Sequence, residues 1–301
     1  MTAAYPKSGP VTLRTNLADT PAWRALRTGD VKSDLVTFDF CGPKAAHEAF
    51  KSMVRDNAYD AGELAVVTFL QARAYDKPWV MLPAVVVGRF QHNCLGYNAA
   101  RGALAPGDLA GKRVGVRSYS QTTGVWVRGV LQHDYGVDPG RITWVCTDDP
   151  HLAEYRDPSN VERVKPGGKT LDQMLLDGEI DALIAAQLPK DPSVRPLIAD
   201  PDAAARAWYA KHRTAQINHV FAVSRALLTE RPDVVKEIHR LLQAAKRAAP
   251  APADGIDVTP LGVDAVGPGL SLIAQYALEQ QIIPRRADVD ALLEETAAAL
   301  R

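Results

Sequence analysis

The stretch from Lys112 to Val137 constrains the fold more than any other part of this chain. Residues 113–116 are mostly apolar, with β-branched valines, which is typical of a strand buried on both faces of a sheet. A polar turn at 117–123 follows, and apolar residues then recur at helical spacing. Gly136 stands where the end of a helix favours the left-handed conformation. The stretch therefore predicts a strand, a polar turn and a helix.

The polar turn is a candidate anion-binding site. The first-turn N–H groups of a helix have no partners within the helix and lie at the positive end of its dipole. Ser118, Ser120 and Thr122 are all candidates for the N-cap. An ordinary capped helix with a solvated turn is the simpler interpretation, which these residues alone slightly favour. The turn has neither G-x-G-x-x-G nor G-x-x-x-x-G-K-[ST], so it does not indicate a dinucleotide or an NTP.

Composition and charge exclude several classes of protein. The 301 residues are 47% hydrophobic and 23% charged, which indicates a globular chain long enough for two lobes. The 35 basic and 35 acidic residues give zero formal net charge, which argues against nucleic acid or an anionic membrane as the main partner. No segment approaches about 20 apolar residues, and the N-terminus has no secretory signal pattern. We therefore expect a cytoplasmic protein without a membrane span.

Strand and helix patterns alternate along the chain. Strands are predicted at 11–15, 34–40, 63–67, 80–87, 94–97, 113–116, 142–146, 180–184, 195–198 and 219–223. Besides the helix of the opening stretch, helices are predicted at 23–26, 44–55, 68–75, 171–176, 201–212, 232–248, 268–280 and 287–300. The polar segment from Asp148 to Lys169 is predicted to be an exposed excursion. The alternation indicates an α/β fold with mainly parallel sheets, in which ligands bind at the carboxyl ends of the strands.

Several blocks of the sequence resemble one family in the same order. The run RVGVRSYSQTTGVWVRGVLQHDYGV resembles a segment of the 4,5-dihydroxyphthalate decarboxylases. Further matching blocks are TNLADTPAWRALRTGDV, YDAGELAVVTFLQAR, VGRFQHNCLGYN, LDQMLLDGEIDALIAAQLP, INHVFAVSRALL and YALEQQIIPRR. The chain departs from the family at Arg117-Ser118-Tyr119, where Pro-Glu-Tyr is usual, and at Glu63-Leu64-Ala65, where Glu-Met-Ser is usual. These departures indicate a shifted substrate.

The resemblance implies a type 2 periplasmic-binding-protein-like fold, in which two α/β lobes close on a ligand. Lobe one would comprise 1–95 plus 222–301 and lobe two 96–221, with crossings near Leu95–Tyr97 and His219–Val223. The implied activity is decarboxylation, without a cofactor, of a hydroxylated aromatic carboxylate or dicarboxylate such as 4,5-dihydroxyphthalate, which gives protocatechuate in phthalate degradation. A small aromatic acid is the expected partner. The possibility that the protein forms a homo-oligomer is left open.

Three residues are candidates for proton transfer. His92, beside Arg89 in a matching block, is the first choice for the acid, and the neighbouring cation should lower its pKa. A core histidine bonded to a backbone carbonyl is about as well supported. His219 competes for the role, although it could instead be a hinge residue. Glu63 could orient a histidine or accept a phenol proton, or it could be a surface charge on a strand.

A second set of residues is expected to bind the substrate. Arg117 and Arg128 are the candidate carboxylate partners because a guanidinium fork matches a carboxylate, although Arg128 could face solvent. Tyr119 and Trp126 could stack on a ring, and Trp126 fits the core better. The remaining candidates are Arg89, Ser118, Thr122, Thr123 and Gln187, for some of which helix or loop capping is the simpler role.

The remaining histidines and the cysteines indicate no metal site. His47, His133, His151, His212 and His239 lie in predicted helices or polar loops and form no ligand spacing. Cys41, Cys94 and Cys146 have the spacing of neither a disulfide framework nor a zinc motif.

Two other functions remain open on sequence grounds. The same fold would suit a solute-binding protein that captures a small aromatic carboxylate for transport or sensing, because a fold does not fix a function. Another enzyme on this fold, such as a menaquinone-pathway lyase, is the third option, and the matching blocks fit it less well.

Overall fold

The computed structural model describes residues 5–165, 167–252 and 254–301. The strands in these ranges are β1 (Val11–Asn16), β2 (Val36–Asp39), β3 (Ala61–Ala65), β4 (Trp79–Gly88), β5 (Leu95–Asn98), β6 (Arg113–Val116), β7 (Thr143–Cys146), β8 (Val161–Arg163), β9 (Ala182–Ile184), β10 (Val194–Pro196) and β11 (Ile217–Ser224). The helices are α1 (Arg24–Arg27), α2 (Phe50–Asp56), α3 (Val66–Ala74), α4 (Thr122–Tyr135), α5 (Leu171–Asp177), α6 (Pro201–His212), α7 (Arg225–Glu230), α8 (Pro232–Ala248), α9 (Val263–Glu279) and α10 (Val289–Leu300).

The strands form two mixed sheets. Sheet one has the order β2-β1-β3-β11-β4, and sheet two has the order β10-β5-β9-β6-β7-β8. In sheet one, β11 is antiparallel to both of its neighbours, whereas β1 is parallel to β2 and β3. In sheet two, β6, β7, β8 and β9 are parallel, and β5 is antiparallel to β9 and β10. The α/β class is therefore confirmed, with parallel and antiparallel pairs in both sheets.

Most predicted elements are present, and the differences have local causes. The predicted end of α4 is confirmed, since Gly136 is left-handed with φ of 66°. The predicted excursion 148–169 contains β8, which pairs with β7 at the edge of sheet two; Pro166 lies outside the described residues. Helix α9 begins at Val263, earlier than predicted, and contains Pro268. Proline is most common in the first turn of a helix, so Pro268 led to a predicted helix start that is later than the observed one.

The segments predicted as crossings between the lobes belong to the sheets. Leu95–Tyr97 lies in β5 of sheet two, and His219–Val223 lies in β11 of sheet one. Their backbone groups are paired in ladders, so the chain passes between the sheets through 89–94 and 197–216 instead. The division into lobes at 95–96 and 221–222 remains a proposal, and sheet membership favours boundaries within these two connections.

The carboxyl-terminal helices pack on both parts of the molecule. Val235, Ile238 and Leu242 of α8 join an apolar cluster with sheet one, and Thr296 of α10 donates a hydrogen bond to Met81 O of β4 at 2.7 Å. Helix α9 instead reaches α4, where Tyr276 lies against Gly129. Among the described residues, no helix is both long enough and apolar enough to cross a membrane.

We predict that Gly129→Ala lowers the free energy of unfolding by about 1–3 kcal/mol, because overpacking forces neighbouring groups to move. A Cβ at Gly129 would lie 2.0 Å from Tyr276 Cδ2, so α9 would have to shift from α4. Urea denaturation measures the effect. Gly107→Ala is the matched control because its added Cβ would meet no atom within 4 Å. Equal stability of the two variants would contradict the close packing of α4 and α9.

Candidate active site

The carboxyl ends of the parallel strands in both sheets meet at one cleft. In sheet one, β1, β3 and β4 end at the same edge, and the antiparallel β11 begins there. In sheet two, β6, β7 and β9 end at the edge where the antiparallel β5 begins. The short connection 89–94 joins the end of β4 to the start of β5, so the two edges adjoin. Ligands in open α/β sheets bind at such edges.

Glu63 and His219 form a pair on the sheet-one side of the cleft. Glu63 lies in β3, and His219 pairs across the ladder with Ala65 of the same strand. His219 Nδ1 lies 2.5 Å from Glu63 Oε1, and the Ala18 N–H donates to Glu63 Oε2 at 3.0 Å. Glu63 is only 2% exposed, so it is not a surface charge. Both of its oxygens are occupied, and Nε2 of His219 has no hydrogen-bond partner among the residues that the structure describes.

Hydrogen bonding keeps the Glu63 carboxylate ionised despite its burial. Burial alone raises the pKa of this carboxyl, but the hydrogen bond and charge of His219 and the Ala18 N–H bond outweigh it, so that the pKa lies below its usual value. The pair therefore has the geometry of a carboxylate that orients a histidine for proton transfer.

Two further histidines, which the sequence pattern did not single out, join this pair. His151, on the segment after β7, lies 2.7 Å through Nδ1 from Thr68 Oγ1 of α3. His47 lies in a 3₁₀ turn at Ala46–Ala49 and feels the charges of Arg117 and His219. Burial and then Arg117 lower the pKa of both rings, that of His151 to about 3. They are 104 positions apart in the sequence (151 against 47), so no local spacing could have joined them.

His92 does not join the Glu63–His219 pair and packs instead against α6. Its ring is 3% exposed and packs at 6.4 Å from the Trp208 ring of α6. Burial, rather than the predicted Arg89 charge, lowers its pKa to about 4, and Asp134 opposes the shift. Asp134 is about 18 Å along α4 from Thr122, given 1.5 Å per residue. His92 Nδ1 is buried without a partner among the described residues, so neither the acid role nor the carbonyl-bonded alternative gains support.

The amino end of α4 faces the cleft beside Arg89. The N-cap is Gln121, without a side-chain capping bond, so the three predicted cap residues do not cap the helix. Ser118 instead lies 3.5 Å from Ser120 through their hydroxyls. Arg89 reaches across from the end of β4 and donates to Thr123 Oγ1 at 3.4 Å and to Ala186 O at 3.3 Å. Its Nε–H is buried with no partner in the described part of the chain.

Two more contacts complete this end of the cleft. The Val67 N–H at the start of α3 donates to Thr122 Oγ1 at 3.4 Å, so the amino ends of α3 and α4 meet. The Val67 N–H is thereby paired, and the first-turn N–H groups of α4 remain the ones that favour an anion here.

Arg128 is an interior residue and does not face solvent. It is 0% exposed, donates from Nε to Gln280 Oε1 at 2.7 Å and from Nη2 to Tyr119 O at 2.5 Å, and lies over the Tyr119 ring. These contacts fix the 117–121 turn from behind. The third guanidinium nitrogen, Nη1, is buried near Gly124 of α4 with no partner in the described part of the chain, so the predicted role as a carboxylate partner stays a prediction beside this positioning role.

The other predicted binding residues differ in placement. Arg117 follows β6 at the cleft, 3.4 Å from Asp148 through Nε, and lines a cavity of about 460 Å³ with Thr147 and Ala186. Gln187 is exposed. Tyr119 packs against Arg128 and Trp126 donates to Ile217 O at 2.8 Å, so both rings are structural. In the described ranges, no group of three or more His, Cys, Asp or Glu residues is arranged to hold a metal ion.

The fold is that of two-lobed binding proteins. The alkanesulfonate-binding protein SsuA of Xanthomonas axonopodis pv. citri, bound to MOPS, matches with a TM-score of 0.56 at 15% identity, over 95% of this chain and 98% of its own. The aliphatic sulphonate-binding protein SsuA of Escherichia coli matches at 0.59 and 13%, over 94% and 97%. The desulfurization enzyme DSZB matches at 0.54 and 15%, over 95% and 99%. The predicted periplasmic-binding-protein-like fold is confirmed.

Sequence relatives identify the family. A 4,5-dihydroxyphthalate decarboxylase of Comamonas testosteroni is 31% identical over 246 residues, which cover 75% of this chain and 72% of the relative. A 4,5-dihydroxyphthalate decarboxylase of Pseudomonas putida is 30% identical over 204 residues, 62% of this chain and 76% of the relative. No protein-family model matches the chain. The chain belongs to the 4,5-dihydroxyphthalate decarboxylase family, and it is an enzyme of the carboxy-lyase type.

We predict that the free energy of unfolding falls as the pH drops from 6.5 towards 4, and that His92→Gln reduces this fall. In the folded protein burial holds the pKa of His92 at about 4, below the ordinary 6.5, so acid favours the unfolded chain. The contribution of His92 to the free energy of unfolding is thus fully present above pH 6.5. Below that pH it falls by up to about 1.4 kcal/mol per pH unit. Urea denaturation at several pH values measures it. Asn93→Ala, at the exposed neighbour, should keep the wild-type slope; an unchanged slope in His92→Gln would contradict the assignment.

Proposed function

We propose that this protein decarboxylates a hydroxylated aromatic dicarboxylate, such as 4,5-dihydroxyphthalate, to the corresponding hydroxybenzoate, here protocatechuate. The observation that carries the proposal is the buried Glu63–His219 pair at a cleft whose other side presents Arg89 and the amino end of α4. Membership of a decarboxylase family supports the same chemistry. The cytoplasmic location expected from the sequence remains part of this proposal.

The reaction needs a proton at the ring carbon that loses CO₂. A ring hydroxyl para to the leaving carboxylate donates electron density as its proton is withdrawn, and the ring carbon then accepts a proton to give a dienone. The C–C bond breaks, its electrons restore the aromatic ring as a phenolate, CO₂ leaves, and the phenolate takes back the proton withdrawn in the first step. One proton is consumed and one C–H bond forms for each carboxylate lost. The protein has to orient the ring, supply the proton and stabilise the charge.

His219 is the proposed proton donor. Its Nδ1 is held by Glu63, so Nε2 is the nitrogen that would exchange a proton with the ring carbon. The carboxylate of Glu63 holds Nδ1 and so fixes the orientation of the ring. Phe50 packs edge-on against the imidazole, with ring centroids 5.1 Å apart, and limits its rotation.

Arg89 and the amino end of α4 are proposed to hold a carboxylate. Arg89, whose Nε–H has no partner within the described residues, contacts the Thr123 hydroxyl in the first turn of α4, where the helix N–H groups favour an anion. Arg117, on the sheet-two side, would take the second carboxylate. Ser118 and Gln187 stay predictions to which the observed contacts add no support.

The alternative is a solute-binding protein for a small aromatic acid. The sulfonate-binding proteins of similar fold favour it, since the amino ends of helices can bind an anion without catalysing a reaction. The two functions separate in one experiment, in which purified protein is incubated with 4,5-dihydroxyphthalate and CO₂ and protocatechuate are followed. Tight binding of the acid without product would support the binding protein and contradict the lyase.

We predict that His219→Asn lowers kcat by roughly 10²-fold or more, which is the usual contribution of a positioned acid or base. Glu63→Gln should lower kcat less, because the glutamine can still accept the Nδ1–H bond although it lacks the charge. Initial rates of CO₂ release measure both. His239→Asn on α8 is the control and should keep wild-type turnover. A larger loss in His92→Asn than in His219→Asn would move the acid role back to His92.

We predict that Arg89→Lys raises KM by about 10-fold with a smaller change in kcat. A carboxylate remote from the leaving group is bound equally in the ground and transition states, and lysine lacks the guanidinium fork. Steady-state kinetics with 4,5-dihydroxyphthalate measure the split. Arg247→Lys, at an exposed position of α8, is the matched control. An unchanged KM would remove Arg89 from the carboxylate site.

A further inference from the structure

The segment that follows β7 leaves its own sheet and lies on elements of the opposite side. Arg55 of α2 donates from Nε to His151 O at 2.7 Å and from Nη2 to Pro150 O at 2.8 Å. Lys77 pairs with Glu154 at 2.6 Å. The segment carrying His151 is therefore anchored at two points on the sheet-one side, although β7 belongs to sheet two.

The same anchoring brings His151 to the proton-transfer pair. The Phe50 ring packs edge-on against both imidazoles, at 5.8 Å from His151 and 5.1 Å from His219. Lys51, Arg117, His47 and His219 are the charged or titratable groups whose fields reach His151. These groups and its burial hold the pKa of His151 at about 3, so the ring is neutral at any working pH and is not a proton source.

The hydrogen bond to Thr68 indicates which tautomer is present. Thr68 is 2% exposed, and His151 Nδ1 is its only hydroxyl partner recorded within the described residues. A buried O–H without an acceptor is costly, so the hydroxyl donates and Nδ1 accepts. The proton of the neutral ring is then on Nε2, which becomes a hydrogen-bond donor without charge.

We propose that His151 is a substrate-binding residue that donates an uncharged hydrogen bond from Nε2 to an oxygen of the aromatic acid, and that its contacts with α2 and α3 hold it in the site when the two sides of the cleft are together. The inference rests on the function proposed above. A neutral donor stabilises a carboxylate or phenolic oxygen without lending it a proton, which leaves proton transfer to His219. His151 thus differs in role from His219, the proposed acid. It also comes from a different part of the fold, since it follows β7 of sheet two whereas His219 lies in β11 of sheet one.

The test uses a pair of variants that differ at one ring position. The amide nitrogen of glutamine can occupy the place of Nε2, whereas asparagine is too short to reach it. We expect His151→Asn to weaken ligand binding by about 10-fold, as for loss of one hydrogen bond to a charged group, and His151→Gln to stay within about 3-fold of the wild type. Thr68→Val should weaken binding several-fold, because it frees the tautomer.

Calorimetry with two unreactive ligands identifies the oxygen. Phthalate has both carboxylates and no ring hydroxyl, whereas protocatechuate has hydroxyls and one carboxylate. Weakening of both by His151→Asn would place the bond on a carboxylate, and weakening of protocatechuate alone would place it on a ring hydroxyl. Unchanged affinity for both in His151→Asn, with the protein folded by circular dichroism, would overturn the proposal.

The pH dependence separates a neutral donor from a titrating one. The loss of affinity caused by His151→Asn should be the same at every pH between 5 and 8. An inflection in the wild type that vanishes in His151→Asn would show that the ring takes up a proton, and would overturn the proposal. These binding assays need no turnover, so a wild-type protein that binds but does not decarboxylate contradicts the proposed function while leaving the role of His151 intact.

Discussion

The insertion of β11 between β3 and β4 is the constraint on which the rest of the site depends. The strand returns from the sheet-two side and pairs antiparallel with both neighbours. Its register is continuous against β3 but shifts against β4 between Ile217 and Ala222, so the pairing with β3 places His219. A slip of one residue would turn every side chain to the opposite face and would carry His219 away from Glu63. Two residues 156 positions apart are thus held 2.5 Å from each other by backbone pairing rather than by their own attraction.

The charges at the cleft are arranged so that a negative residue does not repel an anionic substrate. Glu63 is ionised but enclosed, and its oxygens are occupied by His219 and the Ala18 N–H. An unpaired buried carboxylate would be costly in itself and would oppose a dicarboxylate. Two cations, Arg89 and Arg117, follow β4 and β6 directly, so strand ends bring positive charge to the cleft from both sides.

Elements set by local patterns could be predicted from the sequence, and contacts between distant segments could not. Helix α5 is an example of the first kind, since Thr170 caps it and Gly178 ends it with φ of 76°, as the residue types indicate. Arg128 shows the limit, because its burial depends on Gln280 and Tyr119, one of them 152 positions away. The sequence predicts both His92 and His219 beside the crossings between the lobes, but the ladder between β11 and β3 puts His219 beside Glu63, whereas His92 lies in a 3₁₀ turn and packs on Trp208 of the distant α6.

A fold shared by sulfonate-binding proteins and a desulfurization enzyme does not decide between capture and catalysis. Capture of an anion requires donors, and the helix ends and guanidinium groups provide them. A buried carboxylate–imidazole pair is not needed for such capture, because its burial costs desolvation and its carboxylate oxygens are already occupied by His219 and the Ala18 N–H. Its persistence at the cleft is understandable if the imidazole has to carry a proton to a ring carbon. In the proposed function, the pair is therefore the feature that separates a cleft able to remove CO₂ from an aromatic acid from one that only holds it.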